Sequence, residues 1–186
     1  TLPRRVLVTG AAGFIGGVVA RRLLTSLPVE EVVALDVRPL PVPPEDPRVR
    51  LVVADLRNRP AGLLEGVEAV IHCAFRLRPS RDAAQDWAVN VTATADLLTA
   101  CARAGVRHFV YTSSAAVYGA RPGAPPHPET DPLDPVAGFR YGEHKAAVER
   151  FLAETAARHP EMAVTTLRTC TVLAPGSPPR WCARST

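Results

Sequence analysis

The strongest constraint on this chain is a glycine-punctuated turn, Thr9-Gly10-Ala11-Ala12-Gly13-Phe14-Ile15-Gly16, caught between two apolar segments. Before it, residues 5–9 (Arg-Val-Leu-Val-Thr) form a short apolar run that suits a buried parallel strand. After it, residues 14–27 carry Ile15, Val18, Val19, Leu23 and Leu24 at helical spacing. In such a turn Gly10 permits the tight bend, Gly13 lets backbone approach a pyrophosphate, and Gly16 lets the helix pack close to the sheet. The helix N-terminus then offers unpaired N–H groups and a positive dipole end to phosphates. Three glycines alone are a weak signal. Here a second apolar run, 31–36, ends in Asp36 at about the 20-residue distance that a dinucleotide fingerprint requires. The Asp36 carboxylate is placed to accept hydrogen bonds from both adenosine ribose hydroxyls, and its charge repels a 2′-phosphate. That favours NAD over NADP. Arg38, two residues on, offsets part of that repulsion and joins the candidate cofactor residues.

The rest of the chain alternates in the same way. Residues 49–54, 69–72, 107–112 and 163–168 read as four more strands. Residues 81–104 read as a long helix closed by Gly105, and 138–159 as another ended by Pro160. Strands alternating with helices give an α/β class, and right-handed crossovers favour a doubly wound parallel sheet, the Rossmann arrangement, in strand order 3-2-1-4-5-6. Two proline-rich loops interrupt the pattern, at 39–47 and 122–135, and there is no internal repeat. The 186 residues suffice for one domain. It is expected to span 1–176 as an NAD-binding unit, with 177–186 as an irregular tail that shows neither helical nor strand period.

Composition removes several classes. Nearly half the residues are apolar (47%), which argues against disorder. The net charge of +4 is spread over arginines interleaved with acids, without a long basic run, so a nucleic-acid surface is not expected. Lys145 is the only lysine. Cys73, Cys101, Cys170 and Cys182 form no CxxC pair and none stands with a histidine at metal-ligand spacing. They read as free thiols in a reducing, cytoplasmic setting, and no metal is expected. Arg4 and Arg5 before an apolar stretch imitate a secretory leader, but glycines break the stretch and a charged helix continues past it. No segment is long and apolar enough to span a membrane.

Two further clusters carry chemistry. Tyr141 and Lys145, four apart on a helix, share one face one turn apart. A phenol that titrates near 10 is pulled down by a neighbouring ammonium and by a positive nicotinamide ring, so Tyr141 can take a hydroxyl proton while hydride moves to the cofactor. By chance the same spacing also occurs as an exposed Tyr and Lys. Thr112-Ser113-Ser114-Ala115-Ala116-Val117-Tyr118-Gly119 leaves the fifth strand at the sheet edge where doubly wound proteins bind ligands. A serine there can hydrogen-bond a reacting oxygen.

Taken together, the glycine loop, Asp55-Leu56, His72-Cys73-Ala74, Asn90-Val91, Ser-Ser-Ala-Ala-Val-Tyr-Gly and Tyr-x-x-x-Lys resemble the extended short-chain dehydrogenase/reductase family. The likeness is to its NAD-dependent epimerase/dehydratase branch, which includes UDP-glucose 4-epimerases, and runs from about Val6 to about Gly176. It implies that Tyr141 is the acid/base residue, that Lys145 holds the nicotinamide ribose and tunes Tyr141, and that Ser114 orients the substrate oxygen while Ser113 is structural. It implies backbone contacts from Phe14 and Ile15 to the pyrophosphate, from Asp55 and Leu56 to the adenine, and a cofactor channel lined by Cys73, Ala74 and Phe75. Asn90 is placed behind the nicotinamide. The resemblance also implies a nucleotide-sugar substrate and a homodimer through the two long helices.

Some positions depart from the family. Thr171 stands where relatives often carry a sugar-nucleotide Asn, and Arg76, Arg78 and Arg81 follow the fourth strand, where they can meet substrate phosphates or simply face solvent. Relatives continue into a seventh strand and a smaller substrate domain, and neither is expected within the residues after Pro175-Gly176. Two function classes follow. One is an enzyme that transiently oxidises a sugar hydroxyl. The other is a cofactor-binding module with little or no turnover, because a site needs a second wall to position reactants and exclude water.

Overall fold

Runs rich in valine and leucine become the strands of one sheet. The computed structural model describes residues 2–40, 45–119, 123 and 125–172. The strands are β1 (Arg5–Thr9), β2 (Glu31–Asp36), β3 (Val49–Val53), β4 (Ala69–His72), β5 (His108–Ser114) and β6 (Ala163–Thr169). All pair in parallel, in the order β3-β2-β1-β4-β5-β6 expected from the sequence. The order reverses between β1 and β4, so the carboxyl ends of these two strands open a crevice.

Helices α1 (Phe14–Ser26), α2 (Ala83–Trp87), α3 (Ala93–Arg103) and α4 (Arg140–Arg158) cover the sheet. Side chains alternate along each strand, and the two faces make two cores. Val6, Val8, Val32, Ala34 and Ala69 pack with Leu23 of α1. Leu7, Val33, Leu35, Val70, Phe109 and Tyr111 pack with Leu97, Leu98 and Cys101 of α3 and with Val148 and Leu152 of α4. Each such Val or Leu side chain, fully buried, contributes on the order of 1.5–3 kcal/mol. This double burial is why β1 and β2 read as continuous apolar runs. The edge strands β3 and β6 carry exposed residues instead, in alternation over most of β6.

The long helix expected over 81–104 is not continuous. Asp82 caps α2 by accepting from the Gln85 N–H at 3.0 Å, and a π-helical segment, Ala88–Thr92, separates α2 from α3. The extra residue turns buried Asn90 inward, where its side-chain oxygen accepts the Arg76 N–H at 2.7 Å. At its other end, α3 closes as expected on Gly105. This glycine has φ 75°, and Val106 N–H reaches back to the Cys101 carbonyl at 3.0 Å. The 138–159 helix is α4, one or two residues shorter at each end, and α1 stops at Ser26 rather than residue 27. β3 ends one residue early, β5 runs 108–114 rather than 107–112, and β6 gains Thr169. A short 3-10 turn, Leu56–Asn58, is the regular structure between β3 and β4. Residues 41–44 of the first proline-rich loop, 122 and 124 of the second, Cys182 and the 177–186 tail lie outside the described residues. Among the described residues no helix is long and apolar enough to cross a membrane.

His72, 1% exposed, ties the crevice together. Thr94 Oγ1 donates to the Asn90 carbonyl at 2.8 Å, so it accepts from His72 Nε2, 3.0 Å away. The other ring nitrogen then accepts from Thr9 Oγ1 at 2.7 Å, and Thr9 Oγ1 in turn accepts the Ala74 N–H at 3.2 Å. A single neutral tautomer satisfies the whole chain. Burial, helped by the Lys145 charge, holds the ring down to about 3. An unfolded histidine takes a proton near 6.5, whereas the folded one does not. Its contribution is therefore complete above 6.5 and is lost as pH falls toward 3. Thermal unfolding followed across that range is expected to show a falling midpoint. His72→Asn is expected to be less stable at neutral pH and to lose less on acidification; equal slopes in both proteins would refute the assignment.

Candidate active site

The glycine turn and the exit of β4 meet at backbone distance. Gly10 has φ 70°, and a Cβ built on it would fall 2.7–2.8 Å from Ala74 N, Ala74 Cα and Cys73 C. Only glycine fits both constraints. A Cβ on Gly16 would lie inside van der Waals contact of the Gly10 carbonyl, so Gly16 sets how tightly α1 sits on the loop. Gly13 is the N-cap, extended at φ −83°, with no side-chain cap. The first turn of α1, beginning with Phe14 and Ile15, holds no acidic residue. The leading N–H groups of the helix thus face the crevice with their positive end uncompensated.

Asp36 closes one side of this loop. Its Oδ2 accepts the Ala12 N–H and its Oδ1 the Arg38 N–H, each at 3.0 Å. The Arg38 guanidinium lies 3.6 Å from Oδ1 and reaches the Ala12 carbonyl at 3.5 Å. Asp36, Arg38, Leu40 and Val52 help line a shallow hollow at the ends of β2 and β3. Asp55 follows β3 on the same edge. Its carboxylate accepts Arg57 N–H at 2.9 Å and pairs with the Arg57 guanidinium at 2.7 Å, which lowers its pKa. Leu56 packs on the main core.

On the other side, Cys73 N–H donates to the Thr9 carbonyl at 3.2 Å. Burial pushes the Cys73 thiol up to about 11, so it is a small apolar lining group rather than a nucleophile. Cys101 and Cys170 are also free thiols. Phe75 follows and meets Tyr141 edge-on, with ring centroids 5.3 Å apart. The Asn90 amide clamps the next residue from both sides: besides accepting the Arg76 N–H, it donates to the Arg76 carbonyl at 3.2 Å. It also lies 3.2 Å from His144 Nδ1. Arg76 is consumed within the fold, on Gln85 at 2.9 Å and on buried Asp86 at 3.4 Å. Arg78 and Arg81 are exposed.

Tyr141 opens α4, and Lys145 lies one turn on, 3% exposed. Lys145 Nζ donates to the Thr112 carbonyl at 2.6 Å and stands 5.9 Å from the centre of the Tyr141 ring. Burial lowers its pKa to about 7. Ser114 ends β5 and caps the following 3-10 turn, its Oγ accepting the Ala116 N–H at 3.2 Å. That use leaves the hydroxyl proton for another acceptor. The turn packs on α4 at Gly142, where a Cβ would come within 2.9 Å of the Ala116 carbonyl. Ser113 points the other way and donates to buried Glu149. Glu149 also holds Arg168 of β6 through two nitrogens, at 2.9 and 2.7 Å. Arg168 in turn reaches Tyr118.

The structure therefore gathers the glycine loop, Asp36, Cys73, Ala74, Phe75, Asn90, Ser114, Tyr141 and Lys145 at the carboxyl ends of β1, β2, β4 and β5. Thr171 is exposed after β6. Among the described residues no cluster of metal-ligating side chains occurs. His72, Asp86, His144 and the Glu149–Arg168 pair were not singled out as site residues in the sequence, because their partners lie far along the chain. Gly16→Ala is expected to cost on the order of 1–3 kcal/mol, read as a fall of a few degrees in the unfolding midpoint. An unchanged midpoint would show that the loop–helix spacing is not constrained.

Known proteins share the sequence and the fold of this chain. A structure of MoeE5 in complex with UDP-glucose and NAD is 38% identical, with a TM-score of 0.80, over 94% of this chain and 57% of that one. The UDP-glucose 4-epimerase of Azospirillum brasilense is 34% identical over 83% of this chain and 45% of its own length. A 3 beta-hydroxysteroid dehydrogenase/Delta 5-->4-isomerase of Mycobacterium tuberculosis is 32% identical over 80% of this chain and 42% of its own. The chain thus spans about half the length of these relatives. The profile of one family matches residues 6–184, and by that match the chain belongs to the NAD dependent epimerase/dehydratase family.

Proposed function

We propose that this chain binds NAD and contributes the reacting half of an enzyme that transiently oxidises a secondary hydroxyl of a nucleotide sugar. The observation that carries the reading is Lys145, the only lysine, buried one helical turn from Tyr141 and against Phe75 of the β4 exit, the segment on which the glycine loop packs. The residues fit the cofactor. The crowded backbone at Gly10 and the uncapped start of α1 suit a pyrophosphate, with N–H donors from Phe14 and Ile15. Asp36 offers a fixed carboxylate to the adenosine ribose, and Leu56 and the hollow beside Arg38 offer apolar surface to the adenine. NAD when bound supplies a hydride acceptor.

The chain's own groups do the rest. Ser114, its proton uncommitted, orients the substrate oxygen. Tyr141 removes the hydroxyl proton as general base and returns it as general acid. Lys145 brings a positive charge one helical turn from Tyr141 and holds the ribose next to it. Asn90 acts through the backbone, fixing the Arg76 segment and with it Phe75. A nucleotide sugar is the substrate class suggested by the names of MoeE5's ligand and of the Azospirillum epimerase. Pairing of α3 and α4 with their copies, where Phe151 of α4 is exposed, belongs to the same reading. A second reading is a cofactor-binding module without turnover, supported by the glycine turn and Asp36, which call on the cofactor and not on Tyr141.

Thermal unfolding with NAD, with NADP and with neither is the first test. NAD at about 100-fold over its Kd is expected to raise the midpoint by roughly 5–10 °C, and NADP by much less. No shift with either cofactor would overturn the proposal. With UDP-sugars, Tyr141→Phe is expected to cut turnover about 100-fold or more while leaving the NAD shift intact. Equal turnover in the variant would remove Tyr141 from its role. An NAD shift with no turnover in the parent chain would favour the second reading.

A further inference from the structure

Lys145 stands in an unusual setting for a buried ammonium. It makes no ion pair among the described residues; its one hydrogen bond is to the Thr112 carbonyl. Two aromatic rings take the place of a carboxylate. Nζ lies 4.1 Å from the centre of the Phe75 ring and 4.6 Å from that of Tyr111, with the Tyr141 ring further out at 5.9 Å. The negative face of an aromatic ring attracts a cation within about 6 Å, most strongly where water is excluded. Phe75 comes from the loop after β4 and Tyr111 from the middle of β5, so two separate elements supply the two rings.

Other charges nearby do not substitute for them. Glu149, one turn on along α4, adds a favourable charge but makes no ion pair with Nζ, because its oxygens are committed to Ser113 and Arg168. Cys73 at the end of β4 is held as a thiol and His72 as a neutral ring. Burial pushes the Tyr111 phenol well above its ordinary value, so it is neutral too. Its hydroxyl, moreover, makes no hydrogen bond. The feature that Tyr111 brings to Lys145 is therefore its ring and not its oxygen.

We propose that Phe75 and Tyr111 form a two-ring cradle that positions the Lys145 ammonium and preserves its charge in a site that excludes water. Both are positioning residues: they act on Tyr141 through Lys145. This inference rests on the reading of Lys145 as the tuning group, but its test needs neither cofactor nor turnover. Because the chain has one lysine, protein labelled with 13C at lysine Cε gives a single side-chain signal, whose shift with pH reports that amine alone.

The unmodified chain is expected to titrate near 7. Phe75→Leu and Tyr111→Leu are each expected to lower the midpoint by roughly 0.5–1 pH unit, because the charged form loses a favourable face. Tyr111→Phe, which keeps the ring, is expected to leave it where it was. Loosened packing that lets water in would do the opposite and raise the midpoint toward the ordinary lysine value. A midpoint that holds or rises in both leucine variants overturns the proposal. So does a fall in Tyr111→Phe equal to that in Tyr111→Leu. Absent NAD binding or turnover would count against the proposed function and leave this titration untouched.

Discussion

The neutral ring of His72 spans the point where the sheet reverses direction. It receives a hydrogen bond from the end of β1 and gives one to the start of α3, while standing at the end of β4. Those three places carry the glycine loop, the Asn90 turn and the Cys73–Phe75 segment. Each of them depends on the same alignment of donors, from the Ala74 N–H through Thr9 and His72 to Thr94 and the Asn90 carbonyl. An extra proton would put two donors face to face at Thr9 and a cation in a pocket stacked under Tyr111. Buried polar groups of this kind are costly when half satisfied and rigid when complete. The crevice is consequently shaped by a polar relay within an otherwise apolar core.

How much of this was legible in the sequence follows from how far each cause acts. The strands were legible because burial on both sheet faces writes itself into contiguous residues, and β1, β2 and β4 begin and end where the runs do. The strand order followed from chirality of crossovers. The glycine turn was legible because its causes are local: a positive φ and a close approach leave glycine as the fitting residue. The helix over 81–104 was misread as continuous because its π segment answers to Arg76, 14 residues back, whose backbone Asn90 bonds. No period within the helix announces that. The roles of His72, Glu149 and Arg168 were hidden for the same reason, since their partners stand 19 to 63 residues away.

Charge tells a related story. An excess of arginine can signal an anionic partner, yet many of the described arginines are tied to acids of the same chain. Arg48 pairs with Asp46, Arg57 with Asp55, Arg107 with Glu68, and Arg76 and Arg140 share Asp86. Pairs at the surface add little stability. The two shared by Asp86 matter for a different reason. Asp86 is 2% exposed, and besides both guanidinium groups it accepts the Ser80 N–H at 2.8 Å. It therefore joins the loop after β4 to the first turn of α4.

That junction explains how Tyr141 is placed. The first turn of α4 has no side-chain cap: Phe139 is the N-cap and provides no oxygen. A helix end so exposed would ordinarily fray. Here Arg140, the residue before Tyr141, is anchored on Asp86 at 3.1 Å, and Glu143 accepts the Gly138 N–H at 2.8 Å. On the same loop Asn90 clamps Arg76, which fixes Phe75 against Tyr141 and Lys145. Tyr141 and Lys145 are thus held from two directions, by α4 itself and by the loop after β4. Holding groups in advance is worth a large share of a reaction barrier, because a displacement of about 1 Å already costs rate. For the reaction proposed above, the glycine loop, the Asn90 turn and the Asp86 junction are the parts that would do that holding.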